Sequence, residues 1–202
     1  MSNHLRYAGQ PEALQRAALE QMIRAEPVLM AVLEGMREDG LAEGMLVAGA
    51  LYNLVWNVLT GRPALHGVND LDVFYFDASD IGWDAEDMVI RRLGERFAHL
   101  PLPVQVRNQA RVHLWFPEKF GTSFAPLTSA AAMLPLYAAK THAVAAFLEP
   151  DDRLTILAPF GLDHIFSFRV VPNHALENGP SYEKKGERVR ATWPEVTVLP
   201  WG

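Results

Sequence analysis

The chain has 202 residues, with 18 Lys and Arg against 24 Asp and Glu, for a net charge of −6. Hydrophobic residues make up 50% and charged residues 21%, a balance that supplies a core and excludes a disordered chain. Cysteine is absent, which removes disulfides, thiol nucleophiles and thiolate-bound zinc, so any metal must be held by oxygen or imidazole.

The elements follow in order. Apolar residues at helical spacing predict one helix from Pro11 and a second over Pro27–Arg37, with Gly40 and Gly44 closing the pair. Met45–Ala48 reads as a short buried strand, and Gly49 opens a helix ending at Gly61. A loop, RPALHGVN, leads to DLDVFYFD over 70–77, a β-branched and aromatic run expected as a central strand covered on both faces. Ala85–His99 is a helix; PLPVQVRN and ARVHLWF read as two strands split by Asn108-Gln109. Pro126–Glu149 reads as an Ala-rich helix kinked near Pro135. Asp152–Pro159 is expected to hold a short strand, Leu162–Phe168 a short helix and Tyr182–Thr192 a charged helix.

This order predicts an α+β fold, a small mixed β-sheet flanked by helices with a helical C-terminal part. One domain is expected over 1–202, its core about 22–120 and its helical part about 125–202. The N-terminus, MSNHLRYAGQPEALQ, lacks the apolar stretch of a secretory signal, and no apolar run is long and clean enough to span a bilayer. The expectation is a cytoplasmic protein.

The chemistry centres on Asp70 and Asp72. Residues two apart on a strand share one face, with Cα atoms roughly 6.5–7 Å apart. Two carboxylates so held repel unless something positive lies between them, and the apolar residues that follow make burial without compensation expensive. Magnesium answers this economically, since it takes one or two carboxylates plus water and phosphate oxygens. Taken alone, Asp-x-Asp is more often a solvated turn. The upstream buried strand, ending at Gly49 and entering a helix, adds a backbone that a phosphate approaches closely, with helix N–H groups aimed at it.

This layout resembles the polymerase-β-like nucleotidyltransferase superfamily, on Val47-Ala48-Gly49-Ala50 and Asp70-Leu71-Asp72-Val73. More closely, the chain resembles a bacterial family of small predicted nucleotidyltransferases. The matching segments are AGALYNLVWN, NDLDVFYFD, VRNQARVHLWF, FGLDHIFSFRVVPN and TWPEVTVLPW, collinear from about Met22 onward. The resemblance implies transfer of a nucleoside monophosphate from an NTP to an acceptor hydroxyl. Asp70 and Asp72 would be the catalytic and metal-binding carboxylates for Mg2+ or Mn2+, and Gly49, Ala50, Asn53 and Arg111 would contact the nucleotide. The acidic chain weighs against a long nucleic acid as acceptor.

Three departures stand out. Ala50 replaces the usual Gly or Ser, and 19 residues separate Ala50 from Asp70, a long gap that makes 61–69 an insertion. The third carboxylate is expected on the strand of Pro103–Arg107, which offers Gln105 instead. Gln neither ligates as a carboxylate nor takes a proton. Asp77 or Asp163 would have to substitute, or two carboxylates suffice, or the chain is a degenerate nucleotide-binding or interaction module. Among the remaining residues, Asn57, His142 and the basic residues of 182–190 read as structural or solvated.

Overall fold

The computed structural model describes residues 3–202, so Met1 and Ser2 of the polar N-terminal stretch lie outside the described residues. The chain begins with two helices, α1 (Glu12–Arg24) and α2 (Pro27–Asp39). Pro27 sits in the first turn of α2, where its missing N–H costs nothing, and the Glu26 side chain accepts from Val28 N. Strand β1 (Met45–Val47) then runs directly into α3 (Gly49–Thr60). After a loop come β2 (Leu71–Tyr75), α4 (Trp83–Arg96) and β3 (Val104–Asn108). To this point the expected elements are present with small shifts at their ends.

The next two expectations are corrected. ARVHLWF is not a strand: residues Gln109–Arg111 form a 3-10 turn that continues into α5 (Val112–Phe120). The Asn108 side chain causes the break by accepting from Ala110 N at 3.0 Å, which caps the turn as the strand ends. Pro126–Glu149 is not a helix either. Its prolines limit it to 3-10 turns at Ala131–Leu136 and Lys140–His142, and its end, Ala145–Leu148, is strand β4. A four-residue apolar run is ambiguous by periodicity, and pairing with β1 decides the matter.

The remaining elements are β5 (Leu154–Leu157), α6 (Asp163–Phe166), β6 (Arg169–Val170), α7 (Gly179–Thr192) and β7 (Thr197–Val198). The main sheet has five strands in the order β3-β2-β1-β4-β5. β2 and β3 are parallel and the other neighbours antiparallel, which makes this the small mixed sheet of the expected α+β fold. The second half of the chain is thus less helical than expected, since β4 and β5 complete the sheet and β6 and β7 form a separate parallel pair.

Alternation across the strands separates two cores. Leu46, Leu71, Val73, Val106 and Ala146 join the large core under the helices. Met45, Val47 and Ala145 join a smaller one under Ala130, Leu134 and Ala143. β2 is therefore not covered equally on both faces: Leu71, Val73 and Tyr75 are buried, while Asp72 and Phe74 are half-buried on the other side. That half-open face carries the carboxylates.

Candidate functional site

A cavity of about 230 Å³ opens where β1 meets α3 and β2 begins, and α7 closes its side. Ala48, Gly49, Tyr52 and Asn53 line it from the β1–α3 junction, and Asn69, Asp70 and Asp72 from the approach to β2. Tyr137, His142, Lys185 and Arg188 complete the wall. The expected residues Gly49, Asn53, Asp70 and Asp72 are thereby brought together. A larger cavity of about 500 Å³ lies against α2 and is mostly apolar. Its one Arg, Arg37, pairs with Asp152, and none of the expected site residues lines it.

The β1–α3 junction is shaped for close approach. Ala48 has φ 52° and ψ −110°, a conformation that side chains rarely adopt. Its N–H donates to Val144 O at 2.8 Å, anchoring the strained turn to the chain entering β4. Gly49 then begins α3. A Cβ there would meet only Asn53 Nδ2 at 3.8 Å and Tyr52 OH at 3.9 Å. Packing therefore leaves room for a side chain, and glycine instead keeps the floor of the cavity open. With the Ala48 N–H on Val144 O and the Leu51 N–H on Ala48 O, the Gly49 and Ala50 N–H groups are the donors left at the start of α3, where the helix carries a partial positive charge.

Asp72 sits on β2 opposite Gln105 of β3, and Gln105 Nε2 donates to Asp70 Oδ2 at 2.6 Å. The residue in the place of the expected third carboxylate thus positions one of the other two. Asp77 and Asp163 do not substitute. Asp77 accepts from Ser79, and Asp163 accepts from Gly9, Gln15 and Ser167, away from the cavity. Among the described residues no cluster of three or more His, Asp or Glu is arranged to hold a metal.

Burial pushes the Asp72 carboxyl above its usual range, and the neighbouring Asp70 pushes it further, against the pull of Lys185 and Arg107. Desolvation lowers the Lys185 ammonium, with Arg188 adding to that and Asp72 opposing it. Neither Asp70 nor Asp72 has an ion pair within 4.0 Å among the described residues. An acidic pair without a contact counter-charge fits a hard divalent cation, with water and ligand oxygens completing its shell.

Two other residues of the wall are buried with unsatisfied polar atoms, whereas Arg188 is exposed and donates to Gly67 O at 2.7 Å. His142 is 1% exposed, stacks on Tyr52 at 4.6 Å between ring centroids, and has no partner for either ring nitrogen. Burial holds it well below the usual histidine range, with Lys185 reinforcing the shift, so the ring is neutral. Asn53 is 4% exposed and its Oδ1 is also unpartnered. Buried polar atoms are seldom left so, and three of them, on two residues, lie in the lining of this cavity.

Two expected contacts lie elsewhere. Arg111 is buried in an ion pair with Glu86 and donates from Nε to Ile81 O at 2.8 Å, so its charge is spent on the fold rather than in the cavity. Ala50 is 1% exposed and packs into the large core; only its backbone belongs to the turn at Gly49. Asn57, expected to be structural, donates to Ala64 O and His66 O and accepts from Trp193 Nε1. It pins the 61–69 loop, whose end at Val68 and Asn69 reaches the cavity. Sequence reasoning missed Tyr52, Tyr137, His142, Lys185 and Arg188. The charged run YEKKGERVR was the one visible signal. Its helical spacing places Tyr182, Gly186 and Val189 inward, carrying Lys185 and Arg188 to the cavity rim.

No helix among the described residues is long and apolar enough to cross a membrane. No curated protein matches the chain. A solved structure described as "The NMR structure of the protein reveals a CCA-adding enzyme head domain" matches with a TM-score of 0.74 and 25% identity, covering 90% of this chain and 94% of that one. The profile of a nucleotidyltransferase family matches residues 34–198, a span that includes β1, α3, β2, β3 and α7 and every residue lining the carboxylate cavity. The chain belongs to this nucleotidyltransferase family.

Proposed function

We propose that the cavity binds the triphosphate of an NTP with Mg2+ or Mn2+, and that the protein transfers the nucleoside monophosphate to an acceptor hydroxyl. The observation that carries this reading is the convergence of Asp70, Asp72, Lys185, Arg188 and the start of α3 on one space. Asp70 and Asp72 are the residues that would hold the cation, and Gln105 orients Asp70 for that task. When bound, such a cation offsets the negative charge that builds on phosphate oxygens during transfer.

The chain's own residues do the remaining work. Lys185 and Arg188 attract the triphosphate to the rim, and the first N–H groups of α3 hydrogen-bond its oxygens. Gly49 allows the phosphate to lie against backbone, and closure by α7 restricts water. In the transfer, a bond forms between the acceptor oxygen and the α-phosphorus, and the α-phosphorus bond to the bridging oxygen breaks. Pyrophosphate leaves, and the hydroxyl proton passes to solvent because Gln105 has no basic atom to take it. Positioning and electrostatics supply most of the acceleration in such chemistry.

Calorimetry with an NTP, with and without Mg2+, tests this. Wild-type protein is expected to bind in a Mg2+-dependent way, and Asp70→Asn/Asp72→Asn to weaken binding at least about 100-fold. Binding indifferent to Mg2+, or intact in the double variant, sinks the reading. A second reading, nucleotide binding without transfer, is favoured by Gln105 itself. Labelled NTPs incubated with cell extract separate the two: label transferred in a Mg2+- and Asp72-dependent way excludes the second, and tight binding without transfer excludes the first.

A further inference from the structure

The carboxylate cavity shares two of its walls, Tyr137 and Lys185, with a second cleft of about 330 Å³. Tyr137 is fixed there by stacking on Phe74, with ring planes 8° apart, and the Lys185 ammonium lies 5.9 Å from the Tyr137 ring centre. The two spaces differ in chemistry. The first holds two carboxylates, whereas the second has none and is walled by Trp115, Phe116 and Phe120 of α5 together with Leu136 and Leu176, with Lys119 and Lys185 also lining it.

Several observations say what fits it. The rings form one cluster, with Phe116 and Phe120 centroids 4.5 Å apart and Trp115 and Phe120 6.5 Å apart. Phe120 is nevertheless 42% exposed, so the cluster has ring surface that its own packing does not cover. Lys119 Nζ sits 5.5 Å from the centres of both Trp115 and Phe120, adding positive charge at the rim. Asn178 also lines the cleft, and its Oδ1 is buried without a hydrogen-bond partner. The cleft therefore offers flat apolar faces and one edge acceptor, beside a neighbouring cavity that offers cations and carboxylates. An aliphatic guest would leave the Asn178 oxygen unmatched, a cation would meet Lys119 and Lys185, and a bare anion would leave the ring faces uncovered. A nucleotide joins a stacking ring with an N–H on its edge to a polyphosphate, and matches both halves.

We propose that this cleft holds the base of the bound NTP, stacked on Trp115 and Phe120 with an edge N–H donated to Asn178 Oδ1, while the phosphates lie past Lys185 at Asp70 and Asp72. The inference rests on the proposed triphosphate site and adds where the base goes.

Calorimetry comparing an NTP with inorganic tripolyphosphate, both with Mg2+, separates the two claims. Phe120→Ala is the first variant because its ring is already exposed, and Trp115→Ala is the second, with thermal unfolding as a check that each is folded. Each is expected to weaken NTP binding by about tenfold and to leave tripolyphosphate binding unchanged. Wild-type protein that binds both ligands, with NTP affinity unchanged in both folded variants, overturns the base cleft and spares the triphosphate site. Equal losses for NTP and tripolyphosphate overturn it as well, because the rings would then act on the phosphates. Wild-type protein that binds neither ligand overturns the triphosphate site and the base cleft together.

Discussion

Two clusters of charge stand at opposite ends of β2 and β3, and the protein treats them in opposite ways. Past the C-terminal end of β3, Glu86 and Arg111 are buried at 4% and 8% exposure and fully engaged. Glu86 accepts from Arg111 and from Asn108 N, and Arg111 donates to Ile81 O as well. At the other end Asp70 and Asp72 lie within one cavity, with a single hydrogen bond from Gln105 to Asp70 and no ion pair within 4.0 Å among the described residues. Charges that serve the fold are paired within it. Charges left short of partners raise the free energy of the folded state and keep their capacity for a ligand.

That contrast is open to direct attack. The largest effect is expected at the paired end. Arg111→Ala leaves Glu86 buried without its counter-charge and should cost about 3–5 kcal/mol in urea unfolding. Adding Glu86→Gln should recover part of the loss by removing the stranded charge. NTP affinity of the folded protein should stay at the wild-type value. A stability loss below about 1 kcal/mol, or weakened NTP binding, would show that Arg111 is not the structural ion of this pair.

A smaller effect belongs to His142 in the cavity wall. Its folded pKa lies well below that of a free histidine, so the unfolded chain binds more protons as pH falls below about 6.5. Stability from this group is complete above that pH and is lost as pH falls toward the folded pKa, by up to about 1.4 kcal/mol per pH unit. His142→Asn should remove that part of the slope, as read from urea midpoints between pH 7 and pH 5. An unchanged slope would place the acid sensitivity on another group.

The smallest effect has the opposite sign to most substitutions. Burial and Asp70 raise the folded Asp72 pKa, so the ionised carboxylate costs stability at all pH values above that pKa. The cost disappears as pH falls below the unfolded value, about 4, where both states are protonated. Asp72→Asn should therefore raise the Tm of the ligand-free protein by about 2–4 °C at neutral pH, with the gain fading in acid. The same substitution should abolish Mg2+-dependent NTP binding. A lowered Tm would mean that Asp72 supports the fold.

The site was half legible before the structure. Strand alternation put Asp70 and Asp72 together, and the strand–glycine–helix junction announced itself by composition. Lys185 and Arg188 were visible as charges on a terminal helix, but such charges are usually solvated and nothing local says which side of α7 meets β2. His142 was hidden for a different reason. It ends a 3-10 turn, Lys140–His142, in a segment whose alanine content favours a helix, and the prolines upstream decide otherwise. Arg111 was misplaced because ARVHLWF has strand composition, while Asn108 caps a turn and Glu86 draws the guanidinium inward.

The sequence by itself determined the elements of the first half of the fold, because its helices carry clear periods and stops and the short apolar or β-branched runs between them are too short for helices. It also determined the carboxylate pair, because a period of two is enough to put those side chains on one face. Only the tertiary structure decided what stands opposite them. Pairing of β4 with β1 brings the His142 turn beside Tyr52, and docking of α7 sets Lys185 and Arg188 at the cavity rim. Those contacts bring in His142, Lys185 and Arg188 from 72, 115 and 118 positions beyond Asp70, with α7 held by burial of Val189, Tyr182 and Trp193, and no local pattern encodes such a distance. The acidic excess of the chain gained its meaning the same way: the fold encloses that pair in one cavity and leaves it without an ion pair within 4.0 Å among the described residues.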